Sequence, residues 1–118
     1  MTNLWEETIC KLSEYNKTFD GVRYIQGQDF KITKENFERV AKKTEYYAGF
    51  GSAKVAEDLV LVGKGWWLER HEYDGAESWH YKEAPKQVNE LREVKRLAGG
   101  MWSTLSEIND PDMEDFLP

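Results

Sequence analysis

Cysteine is almost missing from this sequence, proline is scarce, and no stretch of apolar residues is long. Cys10 is the only cysteine, so no intramolecular disulfide can form and a reducing, cytoplasmic setting is the expectation. The longest apolar run, Leu59-Val60-Leu61-Val62, is far too short to span a bilayer, and the first residues, Met1 to Glu7, lack the basic and apolar regions of a secretion signal. Membrane association is therefore not expected. An excess of basic charge is missing too. The net charge is −6, and the imbalance is local: residues 1–105 hold 17 acidic and 16 basic residues, whereas Glu107, Asp110, Asp112, Glu114 and Asp115 stand with no base among them. Nucleic-acid binding needs a positive footprint. A nearly neutral body argues against both that role and whole-surface mimicry of DNA, leaving only a short basic stripe at Lys86, Arg92, Lys95 and Arg96.

Aromatic residues are plentiful. Five Trp, six Tyr and five Phe in 118 residues supply large apolar area, about 150–250 Å² each, and one domain of this length needs one core. Leu4, Trp5, Ile9, Leu12 and Tyr15 recur at helical spacing, with Thr2 or Asn3 as the N-cap and Glu6 and Glu7 in the first turn. Cys10 falls inside that helix, with no basic cluster to activate its thiol, and reads as a packing residue. Val22–Ile25 and Phe30–Ile32 are β-prone, Thr33 caps a second helix running to about Lys43, and Tyr46–Gly51 reads as a loop. A helical turn over Ser52–Glu57 and a third helix over Val88, Leu91, Val94 and Ala98, ending at Gly99-Gly100, complete the expected elements.

The clearest pattern runs from Leu59 to Glu83: three strands, with turns at Gly63-Lys64-Gly65 and Asp74-Gly75, the second a strong two-residue hairpin signal. Period two puts Trp66, Leu68, Trp79 and Tyr81 on one face, and Trp67, Glu69, His71, Tyr73, His80 and Lys82 on the other. Two registers are open at the turn, and in one His71 and His80 lie directly cross-strand. The fold class is therefore α+β, helices packed on a three- to five-stranded, mainly antiparallel sheet containing the 59–83 meander. Residues 1–105 form one domain and 106–118 an acidic, flexible tail.

Several residue groups carry chemistry in principle. His71, His80 and Glu69 could hold a transition metal, but they lack a recognised ligand spacing. The carboxylates and His between Glu69 and Glu77 could serve as general acid and base, yet charges flanking a hairpin are ordinarily solvated and paired across strands. Gly49–Lys54 has a faint phosphate-loop look without the strand that such a loop follows. No cofactor and no metal are expected from these. The second face of the hairpin is different, because exposed Trp67 and Tyr73 are typical of binding hot spots. Either helices cover both faces of the sheet, or one face stays open for a partner.

The stretch Val60-Leu61-Val62-Gly63-Lys64-Gly65-Trp66-Trp67-Leu68-Glu69-Arg70-His71-Glu72-Tyr73-Asp74-Gly75-Ala76-Glu77-Ser78-Trp79 resembles a segment of small proteins from phages and prophages of Gram-positive bacteria. That resemblance transfers no catalytic residue. It implies a class of role, an accessory protein that binds host machinery, with anti-CRISPR and other anti-defence inhibitors among the examples. The expectation is a non-enzymatic protein that binds a host protein through Trp67, His71, Tyr73 and His80, with Asp110, Asp112, Glu114 and Asp115 steering it toward a basic surface. The alternatives are a small metal protein or enzyme using His71 and His80, and a homo-oligomeric structural protein.

Overall fold

A computed structural model describes residues 1–49, 51 and 53–111. The chain forms two compact units, Met1–Pro85 and Lys86–Pro118. The first contains a two-stranded and a five-stranded antiparallel sheet with two helices. Together with the short helix of the second unit they make an α+β fold.

The first unit opens with strand β1 (Thr2–Asn3) and runs directly into helix α1 (Leu4–Glu14). Asn3 is the N-cap, its side chain accepting the Glu6 N–H at 3.0 Å, and Glu6 and Glu7 sit in the first turn, where the helix dipole favours them. Leu4, Thr8 and Leu12, four residues apart, form the buried stripe. A 3₁₀ turn (Phe19–Gly21) leads to β2 (Tyr24–Gln26) and β3 (Lys31–Ile32), and helix α2 (Lys34–Ala41) follows with Thr33 capping the Asn36 N–H. Both helices stop a little before the ends expected from periodicity. Residue Cys10 lies on the outer side of α1 and is exposed, so the packing role expected for it is corrected: the buried stripe passes through Thr8 instead.

Strand β4 (Glu45–Tyr46) pairs with β1, which makes Tyr46 a buried core residue rather than part of a loop tip. Phe50 and Ser52 lie outside the described residues. Residues 53–57 form no helix, so the helical turn expected there is absent. Strands β5 (Val60–Val62), β6 (Trp66–Tyr73) and β7 (Ala76–Glu83) follow, and the large sheet has the order β3-β2-β5-β6-β7. Of the two registers open at the second hairpin, the chain adopts the tighter, Tyr73 opposite Ala76. The reason is the turn itself: Asp74 (φ 52°) and Gly75 (φ 86°) are both left-handed, as a two-residue turn matched to strand twist requires. At the first hairpin the Trp66 ring folds back over Gly63, where a Cβ would stand 2.1 Å from an indole carbon, so only glycine fits.

Cross-strand pairing builds an inner row of Ile32, Ile25, Leu61, Leu68 and Tyr81. Ile25, Leu61, Leu68 and Trp79 are wholly buried there with Leu12 and Phe37 from the helices; each such aliphatic side chain contributes about 1.5–3 kcal/mol of transfer free energy. The second unit holds helix α3 (Leu105–Ile108), opened by a reciprocal capping box between Thr104 and Glu107. Residues 86–104 form neither helix nor strand, which corrects the third helix expected over 88–98. Its apolar stripe has nothing to pack on within the unit: Val88 and Leu91 are exposed, and a short amphipathic helix with an unburied face is marginal in water.

Candidate functional site

The two faces of the β6–β7 hairpin have separate fates, and the division begins with parity. Arg70 and Glu77 share the inward parity of Trp66, Leu68 and Trp79, and both are driven into the core, where their side chains are only 4% exposed. Arg70 donates from Nη1 to Glu7 (2.7 Å) and from Nη2 to Glu77 (3.0 Å) and the Tyr46 hydroxyl (3.0 Å), while that hydroxyl donates to Glu7 at 2.5 Å. The guanidinium also lies 4.7 Å from the Trp79 ring centroid, a favourable cation–π position. Next to it, the Trp79 indole N–H donates to Thr8 Oγ1 at 2.9 Å, and Thr8 donates to the Leu4 carbonyl at 2.7 Å. The network ties α1 (Glu7, Thr8), β4 (Tyr46), β6 (Arg70) and β7 (Glu77, Trp79) together. Among the described residues, Arg70 Nε is the buried side-chain polar atom without a hydrogen-bond partner.

Glu77 also reaches the loop before β5. Its carboxylate accepts the backbone N–H groups of Lys54 (2.6 Å) and Val55 (3.2 Å), and its own N–H donates to the Ala48 carbonyl at 2.7 Å. Burial pushes the Glu77 pKa up, but the Lys54 N–H, the Arg70 guanidinium and the Val55 N–H outweigh it and hold the carboxyl below its ordinary value. For Arg70, burial opposes the charge, and the acceptors on Glu7, Tyr46 and Glu77 overcome it, leaving the guanidinium more firmly protonated. Burial, reinforced by the neighbouring Glu7 carboxylate, pushes the Tyr46 hydroxyl up to about 12. The expectation that Glu77 is solvated is thus corrected, and Glu7, Thr8, Tyr46 and Arg70 are members of a buried polar network that sequence reasoning passed over.

On the opposite face two outward rows cross the sheet: Tyr24, Val62, Trp67 and Lys82, then Gln26, Val60, Glu69 and His80. Both helices of this unit pack on the inner side, through Thr8 to Trp79 and through Phe37 and Ala41 to the same core as Ile25, and no helix of the unit covers these rows. Trp67 is partly exposed and fixed in orientation, its indole N–H donating to Glu69 Oε1 at 2.8 Å. His71 and His80 are diagonal neighbours, since His80 faces Glu69 and His71 faces Ser78. Their rings stack with centroids 3.8 Å apart at 18°. Partial burial, then the adjacent His71, Lys11 and Lys82 lower the His80 pKa against the pull of Glu69. Tyr73 projects from the tip, 76% exposed.

No group of three His, Cys, Asp or Glu among the described residues is arranged to hold a metal ion, and stacked imidazoles do not converge on one point. A cavity of about 420 Å³ beside the hairpin is lined by Val55, Glu57, Asp58, Arg70, His71 and Glu72 among others, yet Arg70 is engaged by Glu7 and Glu77, Asp58 accepts the Gln28 N–H, and Glu72 accepts the Gly75 N–H. Of its carboxylates, Asp58, Glu72 and Glu77 serve the backbone. Trp67, His71, Tyr73 and His80 are brought together on the outer face of one hairpin. Asp110 belongs to the second unit, and Asp112, Glu114 and Asp115 lie outside the described residues.

No family model matches the chain, and neither the curated proteins nor the solved structures contain a match. Among the described residues no helix is long and apolar enough to cross a membrane.

Proposed function

We propose that this chain is a non-enzymatic binding protein that docks on a partner protein through the outer face of its five-stranded sheet, centred on Trp67 and the His71–His80 stack. One observation carries the reading: α1 and α2 both cover the inner face, so the outward rows of strands β2, β5, β6 and β7 keep a partly exposed Trp, two Val and two His with no cover from their own unit. A Trp whose indole N–H is already held by Glu69 surrenders little side-chain freedom on docking, which is the property of an anchor residue. The mixture of Glu69, Lys82 and two His beside it suits a protein surface better than stacked bases. Cytoplasmic residence, a phage-type origin and a host target with a basic surface, approached with the help of the acidic residues beyond 106, extend this reading and rest on the resemblance and the charge distribution.

The experiment is a capture comparison. Wild-type protein and Trp67→Ala are immobilised at equal density, matched in circular dichroism, and exposed to bacterial lysate. A host protein retained by the wild type and lost from Trp67→Ala supports the reading. Retention of the same proteins at the same level by both removes this face from the mechanism.

A further inference from the structure

We infer that His71, His80, Glu69 and Trp67 form a proton-operated relay: when His80 takes a proton it draws the Glu69 carboxylate away from the Trp67 indole, and docking through the outer face is switched off by acid. Two contacts meet at one carboxylate. Glu69 Oε1 accepts the Trp67 indole N–H at 2.8 Å, and Glu69 is also the direct cross-strand partner of His80. Directly opposed side chains on an antiparallel pair are close enough to pair when their charges are opposite. A neutral imidazole leaves the carboxylate to the indole. An imidazolium competes for it with the attraction of a full opposite charge, which the neutral indole donor lacks.

The stack sets the pH at which this happens. The rings of His71 and His80 lie nearly parallel, with centroids 3.8 Å apart at 18°, so two protons on the pair would set unit charges at that separation, a repulsion felt even through water. The pair therefore charges in two separated steps. His80 faces Glu69 on β6, with Lys82 further along β7 and Lys11 of α1 within range of its charge. Burial first, then His71, Lys11 and Lys82, hold its pKa below the ordinary histidine value of 6.5 against the pull of Glu69. His71 borders a cavity with Glu57 and Asp58 from the segment before β5 and with Glu72 of its own strand; Arg70 and Glu77 line it too and are paired with each other. A charge held on His71 is felt by His80 across the stack.

The consequence lies in the anchor. With its N–H held by Glu69 the Trp67 side chain is fixed; released, it regains a freedom that docking must remove again. Protonation also places positive charge near the centre of the interface, where charged residues are depleted in protein contacts. Both effects act in one direction: the outer face is competent while His80 is neutral and loses its partner as the proton is taken up. This consequence for docking rests on the function proposed above, whereas the relay itself is a property of the free chain.

The test is an NMR titration of the full chain, free of any partner, from about pH 8 to about pH 4.5. It follows the Trp67 indole N–H, assigned with Trp67→Phe, and the ring protons of both histidines. The expected result is a step in the indole signal that coincides with protonation of His80, at a midpoint below 6.5. His80→Gln is expected to abolish the step, and so is Glu69→Gln, which keeps an oxygen for the indole but no charge for the imidazolium. His71→Gln is expected to move the step to higher pH by about one unit, a tenfold change in proton affinity. An indole signal that stays flat over the range overturns the inference. So does a step that survives in His80→Gln or Glu69→Gln, or one that stays in place or moves to lower pH in His71→Gln. Because no partner is present, failure of the relay leaves the docking surface standing, and failure of capture by that surface leaves the relay standing.

Discussion

One hairpin carries two charged and polar faces, and they are put to opposite uses. On the inner side of β6 and β7, Arg70 and Glu77 are almost entirely removed from water and every carboxylate oxygen or guanidinium nitrogen but Nε meets a named partner. On the outer side, two residues away or less along the same strands, His71 and His80 meet each other, Trp67 meets Glu69, and all remain open to solvent in part. The lesson is that charge density along a strand says nothing by itself: parity decides whether a carboxylate is a structural clamp or a surface group. A buried ion pair of this sort is weak evidence of net stabilisation against an apolar substitute, but it makes removal of one partner severe.

The comparison can be broken most forcefully at Arg70. Arg70→Ala leaves Glu7 and Glu77 buried without a counter-charge and opens the space beside Trp79, and is expected to destabilise the fold by about 3–5 kcal/mol in urea unfolding; a loss under 1 kcal/mol would mean that the network is loosely held or solvated.

A smaller effect is expected from pH. The folded-state pKa of Glu77 lies below its ordinary value of 4.5, so its contribution is complete above that value and is lost as pH falls below it. Glu77→Gln should therefore be less stable than wild type at neutral pH and show a flatter acid limb. At the other end, Tyr46 is pushed from 10.0 up to about 12, so the folded state keeps a proton that the unfolded chain releases, and stability falls as pH rises through that interval. Parallel acid limbs in wild type and Glu77→Gln would contradict the assignment.

The smallest effect on stability belongs to the outer face. Trp67→Ala is expected to lower stability by about 1 kcal/mol, within the ordinary range for a partly buried side chain, while removing partner binding. Equal losses from Trp67→Ala and Arg70→Ala would erase the distinction between the faces.

Much of this division is written in the residue pattern. Asp74-Gly75 marks the turn though not its register, alternation separates Trp66 from Trp67, and Thr2 or Asn3 and then Thr33 mark the two helix starts. What was hidden is the occupancy of inward positions by polar residues. Thr8 stands midway between Leu4 and Leu12 on one helical stripe, and Arg70 and Glu77 have the parity of Leu68 and Trp79, so the signal was present; it was masked by the expectation that charges near a turn are solvated. Which face the helices choose cannot be deduced from either strand, because it depends on the long-range contact between Thr8 and Trp79. The stripe at Val88, Leu91 and Ala98 misleads for the complementary reason: periodicity describes what a helix would bury, and within its own unit nothing is there to receive it.

The asymmetry of the sheet is open to one direct observation on the free protein, solvent paramagnetic relaxation of valine and leucine methyl groups. Val60 and Val62 point outward from β5, whereas Leu61 between them and Leu68 opposite it are wholly buried. A soluble relaxation agent is expected to broaden the Val60 and Val62 methyls and to spare those of Leu61 and Leu68. Equal protection of all four would show the outer face to be covered, and the surface assigned to the partner would not exist.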